Sequence, residues 1–141
     1  MIIDSTVKQE IQAEWDGVKK MYKLPEAVSR PVGLGRNMVI LTTNPAPPEF
    51  YNLPFFLAYS VLDSVLSQLV QEQVFVCKHW MLGRKMEASK VALTWTNYLL
   101  VDEGRNLRNS LAHAAQLLNR EECIKYIKAI ETELLAWHVI T

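Results

Sequence analysis

The stretch Arg105-Asn106-Leu107-Arg108-Asn109-Ser110-Leu111-Ala112-His113 packs basic, amide and imidazole groups into little more than two helical turns. Asn109 and His113 are four residues apart, so on a helix they stand one above the other, about 40° round the axis. Arg105 lies a further turn back on the same stripe. Arg108 is roughly 140° from His113, but its long stem can sweep to either flank. Leu107, Leu111 and Leu118 occupy a different face. The chemistry suits cleavage of an RNA phosphodiester. Imidazole titrates near pH ~6.5 and can exchange a proton with a ribose hydroxyl or a leaving oxygen. A guanidinium offers a planar fork of donors to a phosphate as charge builds on it. The amide of Asn109 can hold the histidine rotamer or the phosphate. Nothing in this arrangement calls for a metal or another cofactor. Facing water alone, the stripe is an ordinary polar surface. Facing the same stripe of a second subunit, it would bring together two copies each of Arg108, Asn109 and His113.

The composition limits what can surround such a site. The chain has 141 residues, enough for one domain with a real core and too few for two comfortable ones. Its formal net charge is zero. A long nucleic-acid footprint would show a basic excess, so any RNA contact is local or assembled between subunits. Cys77 and Cys123 are too few for a disulfide framework and read as small buried hydrophobes in a reducing compartment. Neither has zinc-site spacing, and the three histidines are scattered. The N-terminus carries Asp4 early and lacks a basic region followed by an apolar run. The most apolar stretch, Phe55 to Val76, is broken by Asp63, Gln68, Gln71 and Glu72. A membrane helix needs roughly 20 mostly apolar residues, so this stretch reads as a buried helix of a soluble, cytoplasmic protein without a membrane partner.

The periodicity predicts an all-α, up-and-down bundle of four to five helices. Asp4 or Ser5 caps a first helix running to about Lys23, with Val7, Ile11, Trp15, Val18 and Tyr22 on one face. Pro25 and Pro31 close it. Residues 25 to 54 form a Pro/Gly-rich excursion or short hairpin, with a β-like run over Met38–Thr43 and the helix-incompatible Asn44-Pro45-Ala46-Pro47-Pro48. Gly33-Leu34-Gly35 is a turn; no P-loop lysine and serine follow it. A second helix runs from about Asn52, as its N-cap, to Lys78, with Leu62, Val65, Leu66, Leu69 and Val70 in a wide apolar stripe. Gly83 with Arg84-Lys85 marks a turn. A third helix spans Met86 to Val101, turning Val91, Trp95, Tyr98 and Leu99 inward. After a break or cap at Gly104, the motif opens a fourth helix ending at Asn119, with Leu107, Leu111, Ala114, Ala115 and Leu118 inward. Asn119 and Glu122 make a near capping box for the last helix, whose Ile124, Ile127, Ile130, Leu134 and Trp137 recur at three and four.

Arg108-Asn109-Ser110-Leu111-Ala112-His113 fits the Arg-Asn-x-x-x-His signature of HEPN domains, and the chain resembles that family mainly over residues 55 to 138. The resemblance implies a single HEPN-like domain over 1–141, with residues 25 to 54 as an unusual insertion. It further implies a homodimer with facing motifs and metal-independent endoribonuclease activity, in a toxin–antitoxin, phage-defence or RNA-processing setting. Arg108 and His113 would be catalytic, Asn109 their polar support and Arg105 a further phosphate ligand. RNA would be the substrate and an antitoxin protein a further partner. The alternative is a non-catalytic HEPN-like module that binds a protein or nucleotide through the same motif.

Plainer readings stand beside these. His113 taken alone is a satisfied structural histidine, and Arg105 a solvated or salt-bridged arginine. Asp63 could orient a site residue, or be a helix-surface carboxylate. Arg84 and Lys85 could guide RNA, but two charges in a turn usually meet solvent. Trp15, Trp95 and Trp137 lie at core spacings, which leaves Trp80, beside His79, as the exposed aromatic able to stack on a base.

Overall fold

The computed structural model describes residues 2–23, 29–35, 38–43, 47–114 and 116–141, with only the backbone given for the two strand segments. Five helices pack together: α1 (Ser5–Lys23), α2 (Asn52–Gln71), α3 (Leu82–Ser89), α4 (Tyr98–Ala114) and α5 (Arg120–Ala136). The fold class is the expected all-α one. Between α1 and α2 an antiparallel pair, β1 (Ser29–Gly35) and β2 (Met38–Thr43), aligns Leu34 with Val39 and slips register between Pro31 and Gly33. A single 3-10 turn, Pro48–Tyr51, leads into α2. Pro25 and the run from Asn44 to Ala46 lie outside the described residues.

The spacing of apolar residues explains the packing. α1 buries Ile11, Trp15, Val18 and Tyr22, and the Asp4 carboxylate caps it by accepting from the amides of Thr6 (2.9 Å) and Val7 (3.2 Å). α2 packs against both α1 and α5. It therefore buries two faces, with Phe55, Tyr59, Leu62, Val65, Leu66 and Leu69 all fully inaccessible. Full burial of such a side chain contributes roughly 1.5–3 kcal/mol. This is why α2 is apolar almost all round and sits at the centre. Together with the preceding turn it is long and apolar enough to cross a membrane; half of it is buried within the bundle. α5 buries Ile127, Ile130 and Leu134, and its Asn119 cap accepts from the Glu122 amide at 2.8 Å.

Several boundaries differ from the periodic reading, each for a tertiary reason. α2 stops at Gln71 rather than Lys78. Gln73 turns to φ 61°, and the Val74 and Gln73 amides return to the carbonyls of Leu69 and Val70 at 2.9 and 3.0 Å. This is a Schellman close, with glutamine where glycine is usual. Asn52 is not a cap. Its buried side chain donates to the Leu118 carbonyl (2.9 Å) and accepts from the Leu118 amide (3.0 Å). That clamp takes Leu118 out of helix, and α4 ends at Ala114 rather than Asn119.

The expected third helix over Met86–Val101 does not form. α3 is Leu82–Ser89, so Gly83, Arg84 and Lys85 are helical, and residues 90–97 run as a turn. Trp95 stacks edge-on to Trp137 with centroids 4.6 Å apart. Its indole donates to Ser89 at 2.9 Å, while the Trp137 indole donates to the Thr94 carbonyl at 3.0 Å. Those contacts need an irregular backbone, and they leave Val91 and Leu99 exposed instead of inward. Ala114 is likewise exposed, and Ala115 lies outside the described residues. Cys123 is fully buried, which pushes its thiol up to about 12. Cys77 is only half-buried, with its thiol 3.4 Å from the His79 carbonyl.

Candidate functional site

α4 carries the motif, and it begins seven residues before Arg105 rather than at it. Its start is set by a residue of α5. The carboxylate of Glu133, wholly buried, accepts from the Thr96 amide at 3.0 Å through both oxygens and also from the Asn97 amide. An anion at this end of a helix satisfies open amides and meets the positive end of the dipole.

Gly104 continues the helix. It is buried where α4 crosses two tyrosines, and a Cβ there would overlap the Tyr59 hydroxyl and come within 2.7–2.8 Å of the Tyr126 ring. Only glycine permits that approach. The Tyr59 hydroxyl donates to the Val101 carbonyl at 2.7 Å, and burial pushes its phenol far above the ordinary range. Tyr126 donates to Glu103 at 2.7 Å.

Arg105, Arg108, Asn109 and His113 all line one cleft of about 670 Å³. The facing wall is the approach to α3 and its first turns, Trp80 through Arg84, with Glu87 beyond. Tyr98 and Asp102 continue the α4 wall. Arg105 is braced: its Nε is 2.9 Å from the Asp102 carboxylate, and its guanidinium lies flat on Gly83, where an added Cβ would stand 2.9 Å from Cζ and Nη1. Because Asp102 engages Nε, the terminal nitrogens keep donors for a phosphate.

The Arg108 guanidinium carbon lies 5.7 Å from the centroid of the buried Tyr59 ring, a cation–π distance. Arg108 is half-buried and lines the cleft. Asn109 and His113 are exposed at the same cleft. Among the described residues no hydrogen bond joins Arg108, Asn109 and His113, so within one chain the amide does not hold the imidazole.

The remaining residues singled out in the sequence divide clearly. Trp80 is 83 % exposed and lines the cleft, whereas Trp15 and Trp137 are core and Trp95 is partly buried against it. Arg84 is exposed and lines the cleft. Lys85 is largely buried rather than solvated: its ammonium donates to Asp63 (2.9 Å) and Ser67 (2.7 Å). Asp63 is therefore a structural partner of Lys85 and reaches neither the arginines nor the histidine of the motif.

Sequence reasoning missed Gly83, Glu87, Tyr98, Asp102 and Tyr59 as neighbours of the site. The spacing of Asp102 and Arg105 is an i, i+3 ion-pair signal, legible once the helix is carried through Gly104. Glu87 accepts from Lys90 and Tyr98, both at 3.0 Å, and these partners hold its carboxyl below the usual range. Partial burial, then Glu87, pushes the Tyr98 phenol up to about 12.

Among the described residues no three His, Cys, Asp or Glu side chains group as a metal site. The cleft thus offers three arginines, an amide, one imidazole and an open indole, with both of its carboxylates already engaged by Arg105, Lys90 and Tyr98. Such a set can bind a phosphodiester and move one proton. Comparison with known protein families, with curated proteins and with solved structures finds no match for this chain.

Proposed function

We propose that the protein is a metal-independent endoribonuclease of the HEPN type, a toxin or defence effector acting as a homodimer. The observation that carries the reading is that Arg105, Arg108, Asn109 and His113 line a single cleft together with Arg84 and Trp80. Arg108 and Arg105 hold the phosphate, and His113 takes the proton from the adjacent ribose 2′-hydroxyl. The 2′-oxygen then bonds to phosphorus, the bond to the 5′-oxygen breaks, and that oxygen leaves with a proton from a second acid. The products are a 2′,3′-cyclic phosphate and a 5′-hydroxyl. Among the described residues His113 is the one imidazole lining the cleft. The proposal assigns the second acid to the His113 of another copy, which a homodimer with facing motifs would supply. In this setting Asn109 orients the phosphate or the histidine across the interface.

The test is induced expression of wild type beside Arg108→Ala/His113→Ala, scoring growth and RNA integrity, followed by purified protein with labelled RNA in excess chelator. Growth arrest and chelator-resistant cleavage by wild type alone support the reading. Intact RNA with both proteins overturns it. One feature favours a second reading, a non-catalytic module that binds a protein or nucleotide: Asn109 and His113 are exposed at the cleft with no hydrogen bond between them among the described residues, so one chain assembles no catalytic pair. On that reading Arg108→Ala weakens the dimer or partner binding and no RNA is cut.

A further inference from the structure

Trp80 is out of keeping with the rest of the chain's aromatics. The residue is 83 % exposed, while Trp15, Phe55, Tyr59, Tyr126 and Trp137 are all buried at 2 % or less. Exposing so large an apolar surface forgoes the burial that the other tryptophans obtain. It stands on the wall of the cleft facing the motif, beside the half-exposed Met81 and two residues from Leu82, which is anchored in the core. Neither Arg84 nor Arg108 has an acidic partner among the described residues, and Arg105 keeps its terminal nitrogens clear of Asp102. An open aromatic face in one cleft with guanidinium groups that keep free donors matches a ligand that alternates flat bases with anionic phosphates.

We infer that the cleft takes single-stranded RNA, with one base stacked on Trp80 and the neighbouring phosphate held by Arg84, Arg105 and Arg108. Two observations favour a single strand over a duplex. In A-form RNA both faces of every internal base are covered by stacked neighbours, so an indole reaches a base only where the strand is unpaired. A cleft of about 670 Å³ is of the size that takes a small ligand or a few nucleotides. Zero net charge agrees with a short footprint rather than a long track along a duplex.

The inference rests on reading the cleft as an RNA site but not on cleavage, so binding is measured in a His113→Ala background that leaves the oligonucleotide whole. Anisotropy titrations compare one labelled single strand with the same strand in a perfect duplex, for Trp80 intact, Trp80→Phe and Trp80→Ala. Sedimentation of each variant gives its oligomeric state. The expected result is a clear preference for the single strand. Trp80→Ala should weaken it on the order of 10- to 100-fold and Trp80→Phe by much less, with oligomeric state unchanged. Equal affinity for duplex and single strand, or indifference to Trp80→Ala, overturns the inference. So does a Trp80→Ala protein that loses its dimer, because the indole is then covered by a second copy. Single-strand binding that depends on Trp80, found in a protein that cuts no RNA, leaves this inference standing while removing the ribonuclease reading.

Discussion

In the first half of α4, from Tyr98 to Gly104, the backbone is tied from several directions. Glu133 holds the amides that precede it, the Tyr59 hydroxyl holds the Val101 carbonyl, and two aromatic rings press on Gly104. In the second half, from Arg105 to Ala114, only Leu111 is buried, and the side chains of Asn109 and His113 meet solvent without a hydrogen-bond partner among the described residues. One helix therefore has an end that is structurally over-determined and an end whose polar groups are uncommitted. Uncommitted groups on a rigid support suit a reactive site, since the support fixes geometry and the groups keep their hydrogen-bonding capacity for a ligand.

The sharpest way to separate the two halves is to mutate each and read both activity and stability. His113→Ala should lower RNA cleavage by on the order of 10²–10⁴-fold, with a urea midpoint close to that of wild type, because the imidazole is exposed and makes no contact the fold needs. A large drop in the midpoint would show that His113 belongs to the structural half. Gly104→Val should do the reverse. It forces a branched side chain onto Tyr59 and Tyr126 and should cost about 3 kcal/mol of unfolding free energy, with the loss of cleavage following the loss of folded protein.

Glu133→Leu should cost about 2 kcal/mol by removing a buried cap and leaving the Thr96 and Asn97 amides open, while α5 keeps its volume. Amide hydrogen exchange would localise that loss to residues 96–101, and uniform exchange across the chain would contradict the cap. Gly83→Ala sharpens the contrast from the other wall. Its Cβ displaces the Arg105 guanidinium, so RNA affinity should fall several-fold while the thermal midpoint moves by only a few degrees.

The smallest effect concerns pH. Gln68 first, then the Ile3 and Asp4 amides, hold Glu72 below its ordinary value near 4.5. A lowered folded-state value means that the unfolded chain binds the proton more readily. Stability from this tie is thus fully present above about pH 4.5 and is lost as pH falls through the folded value. Glu72→Gln should flatten the acid limb of stability against pH slightly, without changing the plateau near neutrality by more than the lost hydrogen bonds.

Local signals account for what was legible. The three-and-four spacing in α1 and α5 finds most of their buried faces, with Val7 and Ile124 only partly covered, and Asp4 and Asn119 cap where short-range hydrogen bonding predicts. The stripe of Arg105, Asn109 and His113 is a matter of helical period alone, and it holds wherever the helix begins. The misread region, Met86 to Val101, has no such self-sufficient signal. Its Val91, Trp95, Tyr98 and Leu99 are spaced like a helical face, but Trp95 is drawn to Trp137, 42 positions away in the sequence, and the other elements cover neither Val91 nor Leu99.

By itself, then, the sequence determined the all-α class, most of the buried faces of the first and last helices, and the placing of Arg105, Asn109 and His113 on one helical stripe. These depend on interactions within about four residues, which periodicity and capping record. Tertiary structure alone decided where α4 begins and ends, why Gly104 lies inside it, and which residues stand across the cleft from His113. Each of those outcomes rests on partners far apart in the chain: Glu133 on Thr96, Asn52 on Leu118, Tyr59 on Val101 and Gly83 on Arg105. A buried carboxylate or amide must find its hydrogen bonds wherever the packed chain supplies them, and no local pattern announces which distant backbone that will be.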